Sequence, residues 1–187
     1  MTVGVLALHG DVSEHRATLS TLNVESIEVR TLSDLELITH LIIPGGESTV
    51  IGKFLKMTGV GDRIVERVSK NDMAVYGTCA GAILLATKVS GKSAPSTLGL
   101  MDITVKRNAY GTQAQSFETS IEIKGISVRI SVAFIRAPKI SAVGPDVQVL
   151  ASHEGNPVLI QQGRLLAGTF HPEVRGETRI HEYFLRL

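Results

Sequence analysis

Met73-Ala74-Val75-Tyr76-Gly77-Thr78-Cys79-Ala80-Gly81-Ala82-Ile83-Leu84-Leu85-Ala86 is the stretch that decides how this chain folds. Its first four residues are a short apolar run of the kind a buried strand needs. From Ala80 onward it is rich in alanine and leucine, as a buried helix is. The turn between them holds Cys79, the only cysteine in the chain. Gly77 and Gly81 bracket it as G-x-C-x-G, the cysteine counterpart of the G-x-S-x-G elbow, where small neighbours permit a strained turn that presents a nucleophile. The N–H groups and positive dipole end of the following helix aim at the sulfur and favour thiolate. Cys79 is therefore a candidate nucleophile. A buried structural cysteine is the alternative, and the local pattern leaves the two about equally open.

Working outward, Val3 to Leu8 is apolar without alternation, as in a strand covered on both faces of a parallel sheet. Asp11 to Leu22, with Val12, Ala17, Leu19 and Leu22 among polar residues, predicts a short amphipathic helix. Ser26 to Arg30 and Leu41-Ile42-Ile43 predict further strands, the latter closed by Pro44-Gly45-Gly46. Helices follow from Ser48 and over Gly59 to Lys70, before the strand that leads into Cys79. The first half reads β-α-β-α-β-α-β-α, the pattern of a doubly wound parallel sheet with its functional groups at the carboxyl ends of the strands. Beyond Gly91 the texture changes. A loop over Lys92 to Gly99 precedes strands at Ile103 to Val105, Thr119 to Ile123, Val128 to Ile130 and Val132 to Ile135, which suggest an antiparallel extension. Val147 to Leu150, Pro157 to Gln161 and Leu165 to Phe170 add three strands, with a turn at Gln162-Gly163, and Gly176 to Leu187 closes the chain as a helix. The expected fold is one α/β domain over residues 1–187: a three-layer α/β/α arrangement around a mostly parallel, flavodoxin-like sheet, with a small antiparallel addition.

The 187 residues suffice to bury roughly 70% of the surface of the unfolded chain. A net charge of +1 and 4% aromatic content argue against a nucleic-acid surface. No apolar run approaches a membrane span of ~18 residues, and no signal-peptide pattern opens the chain. A single cysteine excludes an internal disulfide framework, and a reactive thiol persists best in a reducing cytosol, so a cytoplasmic protein is expected.

A cysteine nucleophile needs a base and a group that orients the base. Of the six histidines, His9, His15, His40, His153 and His181 read as surface or capping residues. His171 differs, because it follows the last sheet strand and is trailed by Pro172-Glu173, whose proline restricts the backbone and presents Glu173 to its own histidine. Donors for an oxyanion are the N–H of Ala80 and that of Gly46 in the Pro44-Gly45-Gly46-Glu47-Ser48 loop. That loop lacks a Walker lysine, and the Glu47 carboxylate suits an α-ammonium group better than a phosphate. His9, Asp11, Glu14 and His15 complete no metal-ligand set at a recognised spacing. Neither metal nor cofactor is expected.

Together these features resemble the class I, triad-type glutamine amidotransferases. Pro44-Gly45-Gly46-Glu47-Ser48-Thr49, Leu98-Gly99-Leu100-Met101-Asp102, Arg107-Asn108-Ala109-Tyr110-Gly111, Phe134-Ile135-Arg136-Ala137-Pro138 and Gly168-Thr169-Phe170-His171-Pro172-Glu173 are similar, in order, to the glutaminase subunits of pyridoxal 5′-phosphate synthases. Ala80-Gly81-Ala82-Ile83 after the nucleophile, in place of Leu-Gly-x-Gln, favours that vitamin B6 branch. The resemblance implies hydrolysis of L-glutamine to glutamate and ammonia, with Cys79 as nucleophile and His171 as base held by Glu173. It further implies that Gly46, Glu47, Ser48, Arg107, Ile135 and Arg136 hold the substrate. A synthase subunit is the implied partner, receiving the ammonia and activating the glutaminase within a large hetero-oligomer. His9 departs from the family, which usually has glutamine there. Two other readings remain from the residues alone: a different cysteine hydrolase such as a peptidase, and a redox-sensing or chaperone-like module in which Cys79 is oxidised.

Overall fold

The computed structural model describes residues 2–91, 94–107 and 116–187. Lys92 and Ser93 of the expected loop, and Asn108 to Gly111 of the family-like block, lie outside them. In chain order the elements are β1 (Val3–Leu6), α1 (Val12–Thr21), β2 (Ser26–Val29), α2 (Leu32–Glu36), β3 (His40–Ile43), α3 (Ser48–Thr58), α4 (Val60–Ser69), β4 (Ala74–Thr78) and α5 (Ala80–Leu85). The second half contributes β5 (Ala86–Ser90), β6 (Met101–Lys106), β7 (Phe117–Ile123), β8 (Ile126–Phe134), β9 (Lys139–Val143), β10 (Gln148–His153), β11 (Asn156–Gln162), β12 (Leu165–Gly168) and α6 (Arg179–Phe184).

The main sheet has seven strands in the order β10-β11-β12-β4-β3-β1-β2. From β12 to β2 all neighbours are parallel, and β10 and β11 are added antiparallel. β1, β3, β4 and β12 are buried at every position, which is why they read as unbroken apolar runs. The two cores lie on the two faces. Leu41, Ile43 and Val75 meet Leu35, Ile51, Leu55, Ile64 and Leu84, from α2 through α5, on one face. Ile42 and Tyr76 meet Leu19 of α1 and Ile180 and Phe184 of α6 on the other. Each fully buried large side chain contributes roughly 1.5–3 kcal/mol through removal from water.

The second half resolves into the antiparallel β7-β8 hairpin, a mixed sheet β5-β6-β9 in which β5 runs parallel and β9 antiparallel to β6, and the antiparallel edge of the main sheet. The hairpin packs on the α1/α6 face through Ile130, Val132 and Phe134. Val128 to Ile130 and Val132 to Phe134, read from sequence as parts of two separate strands, lie on the single strand β8, and Ile135 falls just past its end. β5 and β9 carry no sequence signal strong enough to set them apart: β5 continues directly from the alanine-rich helix, and most of β9 is exposed.

One sequence expectation for α1 is overturned. Ala17 points outward, and the buried residues of the helix are His15, Thr18 and Leu19. His15, His40 and His181 are likewise buried, where surface or capping positions were expected. Amphipathic reasoning assigns polar residues to solvent, and here a polar face turns inward because it meets polar groups at the strand ends.

Candidate active site

The parallel pairing of β12 with β4 places Gly168 beside Thr78. The residues that follow each strand therefore emerge side by side, and the Cys79 N–H donates to the Gly168 carbonyl at 2.8 Å. Cys79 has φ 49° and ψ −99°, a left-handed conformation that side-chain-bearing residues rarely adopt, and it opens α5. The bracketing glycines make room for this turn. A Cβ on Gly81 would stand 2.1 Å from the Ile43 carbonyl oxygen, and one on Gly77 would stand 2.5 Å from the Gly81 backbone. No side chain fits at either place, so α5 can seat tightly on β3 and β4.

His171 lies beyond β12 and is held from the opposite side by the hairpin, its N–H donating to the Ala133 carbonyl at 2.8 Å. Its Nδ1 is 2.8 Å from Glu173 Oε1, which leaves the other ring nitrogen free to face the cleft it lines together with Cys79. Pro172, with φ −71° and ψ −33°, starts a single 3-10 turn over Glu173–Arg175 that folds the carboxylate back onto its own histidine. The sulfur also contacts the Ile135 carbonyl at 3.8 Å. Sulfur, imidazole and carboxylate thus stand in series at one edge of the sheet.

The electrostatics agree with that geometry. Burial disfavours a charged His171, but the influence of the nearby Cys79 sulfur, the hydrogen bond with Glu173 and the charges of both outweigh it and push the imidazole up to about 10. Burial raises Glu173 above the usual carboxylate range, against the opposing pull of His171. The site therefore favours an imidazolium clasped between two partners.

A cleft of about 340 Å³ opens over this row. Gly46, Glu47, Ser48, Arg107, Ile135 and Arg136, all singled out from sequence, line it together with Cys79, Ala80 and His171. Gly46 has φ +146°, and a Cβ there would lie 2.8 Å from His9 Nδ1, so only glycine fits between the loop and the His9 ring. The same ring nitrogen accepts from the Glu47 N–H at 3.4 Å. Ala80 is the first residue of α5, so its N–H has no acceptor within the helix. The Glu47 carboxylate accepts from the Thr49 N–H at 3.1 Å and from Arg107 Nη2 at 3.2 Å. The Thr49 bond comes first among the causes that hold Glu47 below the usual carboxylate range, with Arg107 and Arg136 adding to it. Arg136 has φ 45°, a second strained non-glycine residue at the rim.

Sequence reasoning weighed Asp11 and His15 only as metal ligands and discounted them, and it passed over Thr78 and His181; in the structure Asp11 Oδ2 lies 3.4 Å from His171 Nδ1, and His15, Thr78 and His181 form a buried row behind Glu173. The usable signal was position: His15 shares a helix face with Leu19, which lies in the core. Asp11, His171 and Glu173 offer three ligand atoms within 4.8 Å of one another. The closest of these contacts is the His171–Glu173 hydrogen bond, the chemistry of a shared proton.

The chain belongs to the SNO glutamine amidotransferase family, whose model matches residues 5–187. It is 49% identical over 187 residues to the pyridoxal 5′-phosphate synthase subunit PdxT of Pseudothermotoga lettingae, covering 100% of this chain and 95% of the relative. To the protein of the same name from Thermus thermophilus it is 46% identical over 185 residues, covering 99% and 96%. A solved glutamine amidotransferase superimposes with a TM-score of 0.95 at 45% identity, over 98% of this chain and 97% of the other.

Proposed function

We propose that this chain is the glutaminase subunit of a pyridoxal 5′-phosphate synthase, hydrolysing L-glutamine to L-glutamate and ammonia and passing the ammonia to a synthase subunit for vitamin B6 formation. The observation that supports the chemistry is that Cys79 and His171 line one cleft after the paired strands β4 and β12, with Glu173 Oε1 2.8 Å from the His171 ring. Glutamine enters with its α-ammonium toward Glu47 and its α-carboxylate toward Arg107, replacing the contact these two side chains make with each other. Gly46, Ser48 and the Ile135-Arg136 segment complete the substrate walls.

The Cys79 sulfur attacks the side-chain amide carbon. The oxygen that gains charge is met by the N–H groups of Gly46 and Ala80. The tetrahedral intermediate collapses as His171 gives its proton to the departing nitrogen, releasing ammonia and leaving a thioester on Cys79. His171, now neutral, takes a proton from water, which attacks the thioester carbon; glutamate leaves, and the proton returns to the thiolate–imidazole pair. Glu173 keeps the ring oriented throughout and stabilises its charged form.

The family assignment, the two near-full-length relatives and the pairing of Glu47 with Arg107 support this reading over a peptidase. The synthase partner, the larger assembly it forms and a cytoplasmic location belong to the same proposal. Among the described residues no helix is long and apolar enough to cross a membrane. The test is ammonia release from glutamine by wild type, Cys79→Ala and His171→Asn, with and without the synthase subunit. Hydrolysis that accelerates with the partner and disappears in both variants is expected. Hydrolysis that survives in either variant would sink the proposal.

A further inference from the structure

Behind the triad lies a second polar row that the proposed mechanism leaves unused. His15 is fully buried on the inner face of α1. Its Nε2 is 3.1 Å from Thr78 Oγ1 and 3.5 Å from Glu173 Oε1, and its Nδ1 is 2.9 Å from Nε2 of the equally buried His181 on α6. One imidazole therefore touches both arms of the site: the residue immediately before the nucleophile, and the carboxylate that orients the base. Glu173 Oε1 is shared between His171 on one side and His15 on the other, while Oε2, buried, has no partner among the described residues. Among the described residues, His15 joins His171 in contacting the carboxylate and so in limiting its rotation.

The proton placement follows from charge. A lone pair on His15 Nε2 would face a carboxylate oxygen, so the proton belongs on Nε2, and the Thr78 hydroxyl turns to suit. Nδ1 must then accept from His181 Nε2–H, which leaves His181 Nδ1 bare. That atom is buried and makes no direct hydrogen bond among the described residues, and the Glu177 backbone, which acts on this ring, is the acceptor it would meet in the opposite tautomer. Both rings are held neutral: burial lowers His15 well below its ordinary value, aided by the charges of His181 and His171, and lowers His181 to about 4. We propose that His15 is a positioning residue of the glutaminase site, a neutral Nε2–H donor that fixes Glu173 against His171 and ties it to the strand end carrying Cys79. The donors then run in one direction, His181 to His15 to Glu173, into the carboxylate that His171 approaches from the other side.

The proposal rests on the glutaminase reading, and two measurements separate their fates. In wild-type protein labelled with 15N-histidine, with the His15 signals assigned by their loss in His15→Gln, the ring nitrogens should report the Nε2–H tautomer at neutral pH. The Nδ1–H tautomer would turn a lone pair toward Glu173 and, with His181 donating instead toward the Glu177 backbone, would overturn the proposal. In glutaminase assays with the synthase subunit present, His15→Asn, which cannot place a donor at the Nε2 position, should lower kcat about tenfold with KM for glutamine unchanged. His15→Gln, whose amide reaches that position, should recover most of the loss. Parent-like kcat in His15→Asn, equal losses in the two variants, or a loss carried by KM would each show that the histidine pair is only packing. A wild-type protein that hydrolyses no glutamine overturns the proposed function instead, and the tautomer measurement, which needs neither substrate nor a folded His15→Asn variant, still decides the role of His15.

Discussion

The two arms of the site are built in different ways. The Cys79 arm is local: strand, strained turn and helix are consecutive in the chain, and two glycines create the room they share. The His171 arm is assembled from three separate places: the segment after β12 delivers it together with Glu173, which orients its ring, Ala133 of the hairpin holds its backbone, and Asp11 at the N-terminal cap of α1 lies alongside. A local arm stands or falls with a few residues, whereas a composite arm can be loosened from a distance without touching a reacting atom.

The sharpest way to break the comparison is at the chemistry. Cys79→Ala should remove glutaminase activity by on the order of 10⁴-fold or more while leaving the thermal midpoint close to that of wild type, since one small buried group and a strained turn are all that change. Activity assays paired with calorimetry check this, and a large stability loss would mean the elbow depends on the sulfur.

The composite arm should behave in the opposite manner. Phe134 is fully buried, stacks on Phe117 at 4.8 Å between ring centroids and meets Phe170 at 5.6 Å between centroids, so it anchors the hairpin to the segment after β12 that carries His171. Phe134→Ala should cost about 3–5 kcal/mol of stability and lower kcat as well, because the Ala133 carbonyl that holds His171 moves with it. Denaturant unfolding measures the first effect and steady-state kinetics the second. A stability loss with unaltered kcat would show that the arm does not need the hairpin.

Binding sharpens the contrast further. Arg107→Ala should raise KM for glutamine by about 10- to 100-fold, the cost of losing a charge-assisted contact, with a smaller change in kcat. A substrate-dependence curve resolves the two parameters, and an unchanged KM would remove Arg107 from the carboxylate site.

The mildest effect is on pH dependence. The unfolded chain loses its His171 proton near 6.5, while the folded protein keeps it up to about 10. Stabilisation from this group is complete below 6.5 and declines as pH rises through about 10, because across that window the folded state holds a proton that the unfolded state has lost. Melting temperatures of wild type should fall more steeply with alkaline pH than those of His171→Asn. Parallel slopes would contradict the clasped imidazolium.

How much was legible in the chain follows the same division. The elbow could be read because its parts are contiguous and each has a local signature, and His-Pro-Glu could be read because the carboxylate lies two residues from its own histidine. The buried row of His15, Thr78 and His181 could not, since its members come from α1, β4 and α6, and polar residues on a helix are ordinarily assigned to water. β5 and β9 were passed over for a related reason: they are short additions whose pairing partners lie elsewhere in the chain.

By itself the sequence determined the alternation of strands and helices, the elbow with its nucleophile, and the pairing of a histidine with its own glutamate, because hydrophobic periodicity, glycine sterics and proline geometry act over a few residues. Only the tertiary structure decided that β12 lies beside β4, that the hairpin carrying Ala133 and Ile135 bends back to touch both arms, and that α1 turns two polar side chains, His15 and Thr18, inward. Those outcomes depend on which distant surfaces bury one another, and burial is a property of the assembled chain.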